Sequence, residues 1–207
     1  MFAIEHATAT AGAGPGGTSQ DRARVYRTSG GVLVALADGA GGTARGARAA
    51  QAIVDAAASP DALRDPCALL ATVDRDVARL GRGESTAVLV AIRGGVIGGA
   101  SAGDSGAWLV DADDTVELTA GQARKPFVGA GCTPTAIPPT PLGARTLLVA
   151  SDGLLRYARH ADIARAARIA DLSLAVHVLV ELVRMPSGAL HDDVTVVLCR
   201  AARRDGQ

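Results

Sequence analysis

The sequence is poor in aromatic residues, lysine and cysteine. Its 207 residues include one tryptophan, two tyrosines and two phenylalanines, and Lys125 is the only lysine. The three cysteines, Cys67, Cys132 and Cys199, show no CxxC spacing and no nearby histidine pair. A disulfide framework and a zinc site therefore have no basis in this sequence, and the expected compartment is the cytoplasm.

An excess of charge of one sign and long apolar runs are also missing. Lysine and arginine together number 21, as do aspartate and glutamate, so the basic excess typical of nucleic-acid-binding proteins is absent. No apolar run approaches the roughly 18 residues of a membrane helix, and the start resembles no signal peptide. With 48% apolar and 20% charged residues, the chain is expected to form one globular domain over 1–207, without a nucleic-acid or membrane partner.

Glycine and proline divide the chain into short strands and a few helices. Strands are predicted at 2–9, 22–28, 32–37, 85–92, 96–102, 146–150 and 194–199, with a strand pair over 107–118. Helices are predicted at 44–58, around an apolar stripe of Leu69, Leu70, Val73, Val77 and Leu80, and within 154–183. The segment 119–145 holds five of the nine prolines and is predicted to be a loop. Several strands are apolar on both faces, which indicates an α+β fold, a β-sandwich flanked by helices.

Acidic residues recur at the ends of these strands. Pairing across the turn at 29–31 places Asp21 opposite residue 38 or 39, so Asp21 and Asp38 are expected at one sheet edge. The Gly94-Gly95 hairpin brings Asp104 to the end that bears residues 84 and 85. Asp152 closes a late strand and Asp192 opens the last one, so these two also meet if the strands are antiparallel.

Converging carboxylates without thiolate or imidazole neighbours would repel each other unless cations neutralised them. Oxygen ligands select hard divalent ions, so Mg²⁺ or Mn²⁺ is predicted. Glycines at 39, 41 and 42 allow the backbone to bend beside Asp38 and let carbonyl groups approach an ion. The alternative is that aspartates at strand ends are turn formers, as they commonly are.

These residues resemble the metal-dependent PP2C-type Ser/Thr protein phosphatases of the PPM family. The resemblance covers most of the chain, in the family's order, through six segments: SQDRARVY (19–26), ALADGAGG (35–42), ESTAVLVAI (84–92), ASAGDSGAWLV (100–110), LLVASDGLL (147–155) and HDDVTVVLC (191–199). It implies an αββα sandwich of two mainly antiparallel sheets flanked by helices. It also implies hydrolysis of phosphoserine and phosphothreonine in proteins, a Ser/Thr kinase being a further expected partner.

The resemblance assigns a role to each acidic position. Asp38 would bridge two Mn²⁺ or Mg²⁺ ions, and the carbonyl of Gly39 would bind one of them. Asp152 and Asp192 would complete the shell of the first ion, and Asp21 would hold the second through water. Asp104 would help Asp152 bind a third, weaker ion. The catalytic set implied is Asp38, Asp152 and Asp192, acting on a metal-activated water.

The sequence also departs from the family pattern. Gly16 stands where many members have a phosphate-binding arginine, which leaves Arg22, Arg24 and Arg45 as candidates for that role. Ala40 stands where some members have a histidine proposed as general acid, and Arg156 where some have a further acidic ligand. His191 is either a replacement acid or an exposed histidine. Only 47 residues separate Asp104 from Asp152, so the flap segment beside the active site is expected to be short or missing.

The sequence also allows three competing interpretations. GAGPGG (12–17) fits the dinucleotide-binding pattern, but it precedes a predicted strand, so a helix N-terminus for a pyrophosphate is lacking. GDSG (103–106) resembles a serine-protease motif, but His6 is the only upstream histidine and lacks the context for a triad. The third is a catalytically weak PP2C-like domain that binds phosphoproteins or a partner, which Gly16 and the short flap favour.

Overall fold

The computed structural model describes residues 3–41 and 44–202, so Gly42, one of the three glycines noted beside Asp38, lies outside the described residues. The strands are β1 (Ile4–Ala11), β2 (Arg22–Thr28), β3 (Gly31–Ala37), β4 (Ala87–Arg93), β5 (Val96–Ala102), β6 (Gly106–Val110), β7 (Thr115–Glu117), β8 (Thr135–Pro141), β9 (Thr146–Ala150) and β10 (Val194–Ala201). The helices are α1 (Ala44–Ala56), α2 (Pro66–Arg79), α3 (Asp152–Leu155), α4 (His160–Ala167) and α5 (Leu172–Glu181).

The strands form two five-stranded antiparallel sheets. The first sheet has the order β1-β10-β9-β6-β7, and the second has the order β2-β3-β4-β5-β8. The predicted hairpins at 29–31 and at Gly94-Gly95 are confirmed, and β9 pairs antiparallel with β10. The α+β sandwich predicted from the sequence is therefore the observed architecture.

The fold has three apolar layers, and each sheet of strands that are apolar on both faces lies between two of them. Along β3, Val34 and Leu36 pack in the layer between the sheets, whereas Leu33 and Ala35 pack beneath α1 and α2. A third layer lies between the first sheet and α4 and α5. Because side chains alternate across a strand, such continuous apolar runs are stable only where both faces are covered.

Aspartate side chains cap the starts of α2 and α5. The side chain of Asp65 accepts a hydrogen bond from the backbone of Ala68 at 2.9 Å and starts α2. Leu80 follows the last residue of α2 and is 51% exposed, so its placement on the buried stripe was wrong. Helix α5 buries one side, including Val176 and Leu179. Among the described residues, no helix combines the length and apolar character needed to span a membrane.

The segment 119–145 is not entirely a loop. Thr135–Pro141 forms β8, which pairs with β5 at the outer edge of the second sheet. Proline has no N–H to donate and is tolerated at a sheet edge, where one side of the strand needs no donor. The prolines that argued against a strand are instead typical of an edge strand.

Candidate active site

Two carboxylates of the second sheet stand opposite each other at one end of that sheet. Arg22 pairs with Ala37 in the β2–β3 hairpin, so Asp21 and Asp38, one step further along, face each other in the same register. Asp21 is only 2% exposed, and its side chain interacts with that of Asp38. The register predicted from the hairpin is confirmed.

The first sheet brings two further carboxylates to the same end of the molecule. Asp152 follows β9 as the first residue of α3, and Asp192 precedes β10. Ser151 joins the two strand ends, because its N–H donates to the carbonyl of Thr195 at 3.0 Å and its hydroxyl accepts from the N–H of Thr195 at 2.9 Å. The antiparallel pairing on which this prediction depended is thus present.

Asp104 lies in the turn that carries the chain from β5 of the second sheet to β6 of the first. Next to it, the hydroxyls of Ser105 and Thr86 are 2.6 Å apart. The Thr86 hydroxyl also accepts a hydrogen bond from the N–H of Asp38 at 3.1 Å. This buried pair of hydroxyls therefore fixes the Asp104 turn to the strand end that carries Asp38.

These strand ends surround a cleft of about 260 Å³. It is lined by Gln20, Asp38, Gly39, Ala40, Gly41, Thr86, Asp104, Phe127, Asp152, Asp192 and Asp193. Five of the six residues predicted as metal ligands line the cleft. The sixth, Asp21, is buried beside Asp38. The structure therefore brings the predicted set together, while the coordination roles assigned to its members stay predictions.

Burial and mutual repulsion raise the pKa values of three of these acidic groups. Burial, followed by the charges of Asp21 and Asp152, raises the pKa of Asp38 to about 9. Burial also raises the pKa of Asp21 to about 6. The pKa of Asp152 is raised by burial and by the charges of Asp104 and Asp192. Each shift favours the neutral form, as expected where carboxylates crowd together without a cation.

The chemistry of the donor set fits a hard divalent cation. Both carboxylate oxygens of Asp21 are buried without a hydrogen-bond partner of normal geometry, although Ser151 and Thr195 are near enough to lower its pKa. Buried polar atoms are rarely left in this state, and a cation nearby would satisfy them. Within 3–41 and 44–202, no group of three or more acidic, histidine or cysteine side chains is arranged so that it could hold a metal ion. The carboxylates thus converge without forming a finished coordination shell.

The glycine after Asp38 is required by close packing. A Cβ atom on Gly39 would lie 2.4 Å from the backbone carbon of Gly46 in α1, a distance that side chains do not tolerate. Gly41 adopts a φ of 92°, which disfavours any residue with a side chain. The glycines therefore let the first turn of α1 pass directly against the strand end that carries Asp38.

Sequence reasoning missed Asp193, which organises the glycine-rich loop before β2. Its two carboxylate oxygens accept hydrogen bonds from the N–H of Ala13 at 2.8 Å and from the N–H of Gln20 at 2.6 Å. The loop residue Gln20 lines the cleft next to Asp38. The signal was the second aspartate of HDD, but sequence spacing gives no indication that its partners lie about 180 positions earlier.

A second missed residue is Asp74 on α2, which holds the loop that follows Phe127. Its carboxylate accepts from the N–H of Gly129 at 2.8 Å, and from two further N–H groups of the same loop. Just before this loop, Val128 exchanges backbone hydrogen bonds with Ser85 at 3.0 and 3.1 Å. These contacts place Phe127 in the cleft wall. The available signal was an aspartate directly after Val73, within the segment that carries the predicted apolar stripe.

The arginines considered as replacements at Gly16 do not line the cleft within the described residues. Arg22 donates to the side chain of Gln51 at 3.1 Å and to backbone carbonyls near its own position. Arg24 lies 5.9 Å from the ring centre of Tyr26. His191, considered as an acid, is exposed and stacks on Tyr157 with ring centres 4.9 Å apart.

The architecture of two antiparallel sheets between helical layers is that of PP2C-type Ser/Thr phosphatases. The serine/threonine phosphatase of S. agalactiae superposes with a TM-score of 0.81 at 23% identity, over 97% of this chain and 100% of that chain. The catalytic domain of the phosphatase PstP, solved with two manganese ions, gives 0.77 at 22% identity, over 98% and 100%.

PppA of Pseudomonas aeruginosa, described as a key regulatory component of T6SS, gives a TM-score of 0.79 at 22% identity, over 96% of this chain and 98% of that chain. No protein-family model matches the sequence, and no curated protein matches it significantly. At these identities the similarity establishes the fold of the chain.

Proposed function

We propose that the chain is a single phosphatase domain that hydrolyses phosphoserine and phosphothreonine in proteins at a binuclear Mn²⁺ or Mg²⁺ centre. The observation that carries this proposal is the convergence of Asp38, Asp152 and Asp192 on one cleft at the common end of both sheets, with Asp21 buried beside Asp38. The manganese-bound PstP domain shares this fold and supports the choice of cation.

Most of these residues would hold the two ions, and Asp104 with Asp152 would hold a further, weaker one. Asp38 would bridge both ions, with the carbonyl of Gly39 and the carboxylates of Asp152 and Asp192 around them. Asp21, buried beside Asp38, would act through water. When bound, two such ions lower the pKa of a bridging water and neutralise charge on the phosphoryl oxygens. The remaining corner joins Asp152 and Asp104, where the family resemblance implies a weaker ion.

The chain itself supplies rigid positioning. The backbone carbonyl of Asp38 accepts from the N–H of Thr86 at 2.8 Å and from the hydroxyl of Ser85 at 2.8 Å. The N–H of Asp38 is held by the same threonine. A carboxylate on a strand end fixed from both sides keeps its position when its neighbours repel it, as preorganised catalysis requires.

Hydrolysis of p-nitrophenyl phosphate and of a phosphothreonine peptide, with and without Mn²⁺, tests the proposal. Asp38→Asn should lower kcat at least about 100-fold, because the substitution removes the negative charge shared by both ions. Asp113→Asn, in the exposed turn between β6 and β7, is the matched control and should leave kcat unchanged. Hydrolysis that needs no metal, or that survives Asp38→Asn, would contradict the proposal.

A second candidate is a phosphoprotein-binding or regulatory module of low activity. Gly16, which offers no side chain for phosphate, and the lack of a finished ligand set in the described residues favour it. Such a module would bind a phosphopeptide in the presence of EDTA and release it unchanged. The phosphatase would show turnover that EDTA abolishes, so one assay separates the two.

The proposed partners are phosphorylated proteins, with a Ser/Thr kinase among them. The cleft of about 260 Å³ has five aspartates in its lining, and Phe127 and Ala40 provide its apolar side chains, so its lining offers mainly charge to a phosphorylated side chain of a peptide. The cysteines at 67, 132 and 199 are free thiols. We place the protein in the cytoplasm, where such thiols stay reduced.

A further inference from the structure

Arg124 stands at the rim of the candidate active site. One guanidinium nitrogen lies 3.6 Å from a carboxylate oxygen of Asp104, which lines the cleft. The Arg124 side chain is 76% exposed and that of Asp104 is 22% exposed. The cationic group is therefore open to solvent on one side and adjoins a cleft carboxylate on the other.

The backbone before Arg124 is fixed against the turn that carries Asp104. The N–H of Gly103 donates to the carbonyl of Ala123 at 3.3 Å. The side-chain amide of Gln122 donates to the carbonyl of Ser105 at 2.6 Å. Two hydrogen bonds to residues on either side of Asp104 thus hold the segment in place, and the position of Arg124 follows from them.

A second arginine approaches the same corner from the first sheet. Arg156, at the end of α3, interacts electrostatically with Asp152. Its guanidinium carbon lies 5.6 Å from the ring centre of Tyr157, within the range of a cation–π contact. Asp104 and Asp152 influence each other as well. Two guanidinium groups therefore adjoin two carboxylates of the cleft from outside its lining, of which neither arginine is a part.

We infer that Arg124, with Arg156 as a second cation, contacts the phosphoryl oxygens of the substrate and so replaces the side chain absent at Gly16. A guanidinium carries five N–H donors in a planar fork that matches phosphate oxygens. One long contact to Asp104 leaves most of these donors available, and an exposed side chain can swing toward an incoming dianion. The inference rests on the proposed function, because it concerns the substrate of the same cleft.

The test compares Arg124→Ala and Arg124→Lys with Arg79→Ala. Arg79 on α2 is a matched control because it is 73% exposed and pairs with Asp76 at 3.3 Å, in a helix whose end does not line the cleft. For hydrolysis of a phosphothreonine peptide, Arg124→Ala should raise KM about tenfold and change kcat by less than about threefold. Arg124→Lys should recover part of the loss, because it keeps the charge but not the fork.

Binding of inorganic phosphate to the Mn²⁺-loaded protein, followed by calorimetry, gives a readout without turnover. The dissociation constant should rise about tenfold in Arg124→Ala and stay constant in Arg79→Ala. Equal phosphate binding and equal KM in wild type and Arg124→Ala would overturn the inference, as would a wild-type protein that binds no phosphate. A wild type that binds phosphate through Arg124 without hydrolysing the peptide would contradict the proposed function alone.

Discussion

Replacing Asp38 by asparagine should stabilise the metal-free protein even though it removes activity. The pKa of Asp38 is raised to about 9 in the folded state, from an ordinary value of 3.8. Between these values the folded protein holds a proton that the unfolded chain releases. A carboxyl whose pKa is raised by folding therefore costs stability progressively as the pH rises from about 4 to about 9.

The magnitude follows from the same two values. Each pH unit between them corresponds to about 1.4 kcal/mol, so at pH 7 the cost reaches about 4 kcal/mol. Asparagine has nearly the same shape and carries no ionisable proton, so it avoids this cost.

Urea unfolding in EDTA between pH 5 and pH 8 measures the effect. The free energy of unfolding of the wild type should fall as the pH rises. In Asp38→Asn this fall should be smaller, by the amount that corresponds to about one proton released on unfolding. At pH 7 the variant should be more stable by about 2–4 kcal/mol, while Asp113→Asn should match the wild type. The reasoning is refuted if Asp38→Asn is no more stable than the wild type at pH 7 and keeps the same slope.

Three further outcomes are expected. Asp193→Asn should lower the free energy of unfolding by about 1–2 kcal/mol in urea titrations, because one of its two charge-assisted bonds to backbone N–H groups is lost; unchanged stability would contradict the anchoring role. Gly153→Ala should lower it by more than about 2 kcal/mol, since its Cβ would lie 2.0 Å from the carbonyl oxygen of Asp193, whereas Gly121→Ala, with no atom within 4 Å, should be neutral. Calorimetric titration with Mn²⁺ should find two ions at micromolar concentration, because arginines already neutralise the corner of Asp104; three ions of equal affinity would be the contrary result.

Register and periodicity were enough to predict most of the fold. The hairpin turns at 29–31 and 94–95 define which strands pair, and strand pairing then determines which residues share an edge. Asp21 and Asp38 could be placed together because both belong to one hairpin. Asp152 and Asp192 could be placed together only on the condition that their strands are antiparallel, which the structure meets.

The remaining features depend on contacts between distant segments. Asp193 binds a loop that precedes it by about 180 positions, and Asp74 binds a loop that follows it by 55 positions. Neither contact corresponds to a periodic pattern in the sequence. β8 was missed because its prolines are unfavourable for an isolated strand, while its edge position, which makes them acceptable, is a property of the assembled sheet.

The acidic cleft is held together by groups other than the acids themselves. Asp38 is fixed by Thr86 and Ser85, and the strand end before Asp152 is fixed by Ser151. Both sheets behind these strand ends are buried between apolar layers. The packing of three apolar layers therefore stabilises the fold against the mutual repulsion of the carboxylates. A cation that enters the cleft reduces this repulsion. Because the scaffold holds the acids in place before the ion arrives, the binding energy of the cation is not spent on gathering its ligands, and stabilisation by Mn²⁺ should grow as rising pH ionises Asp38.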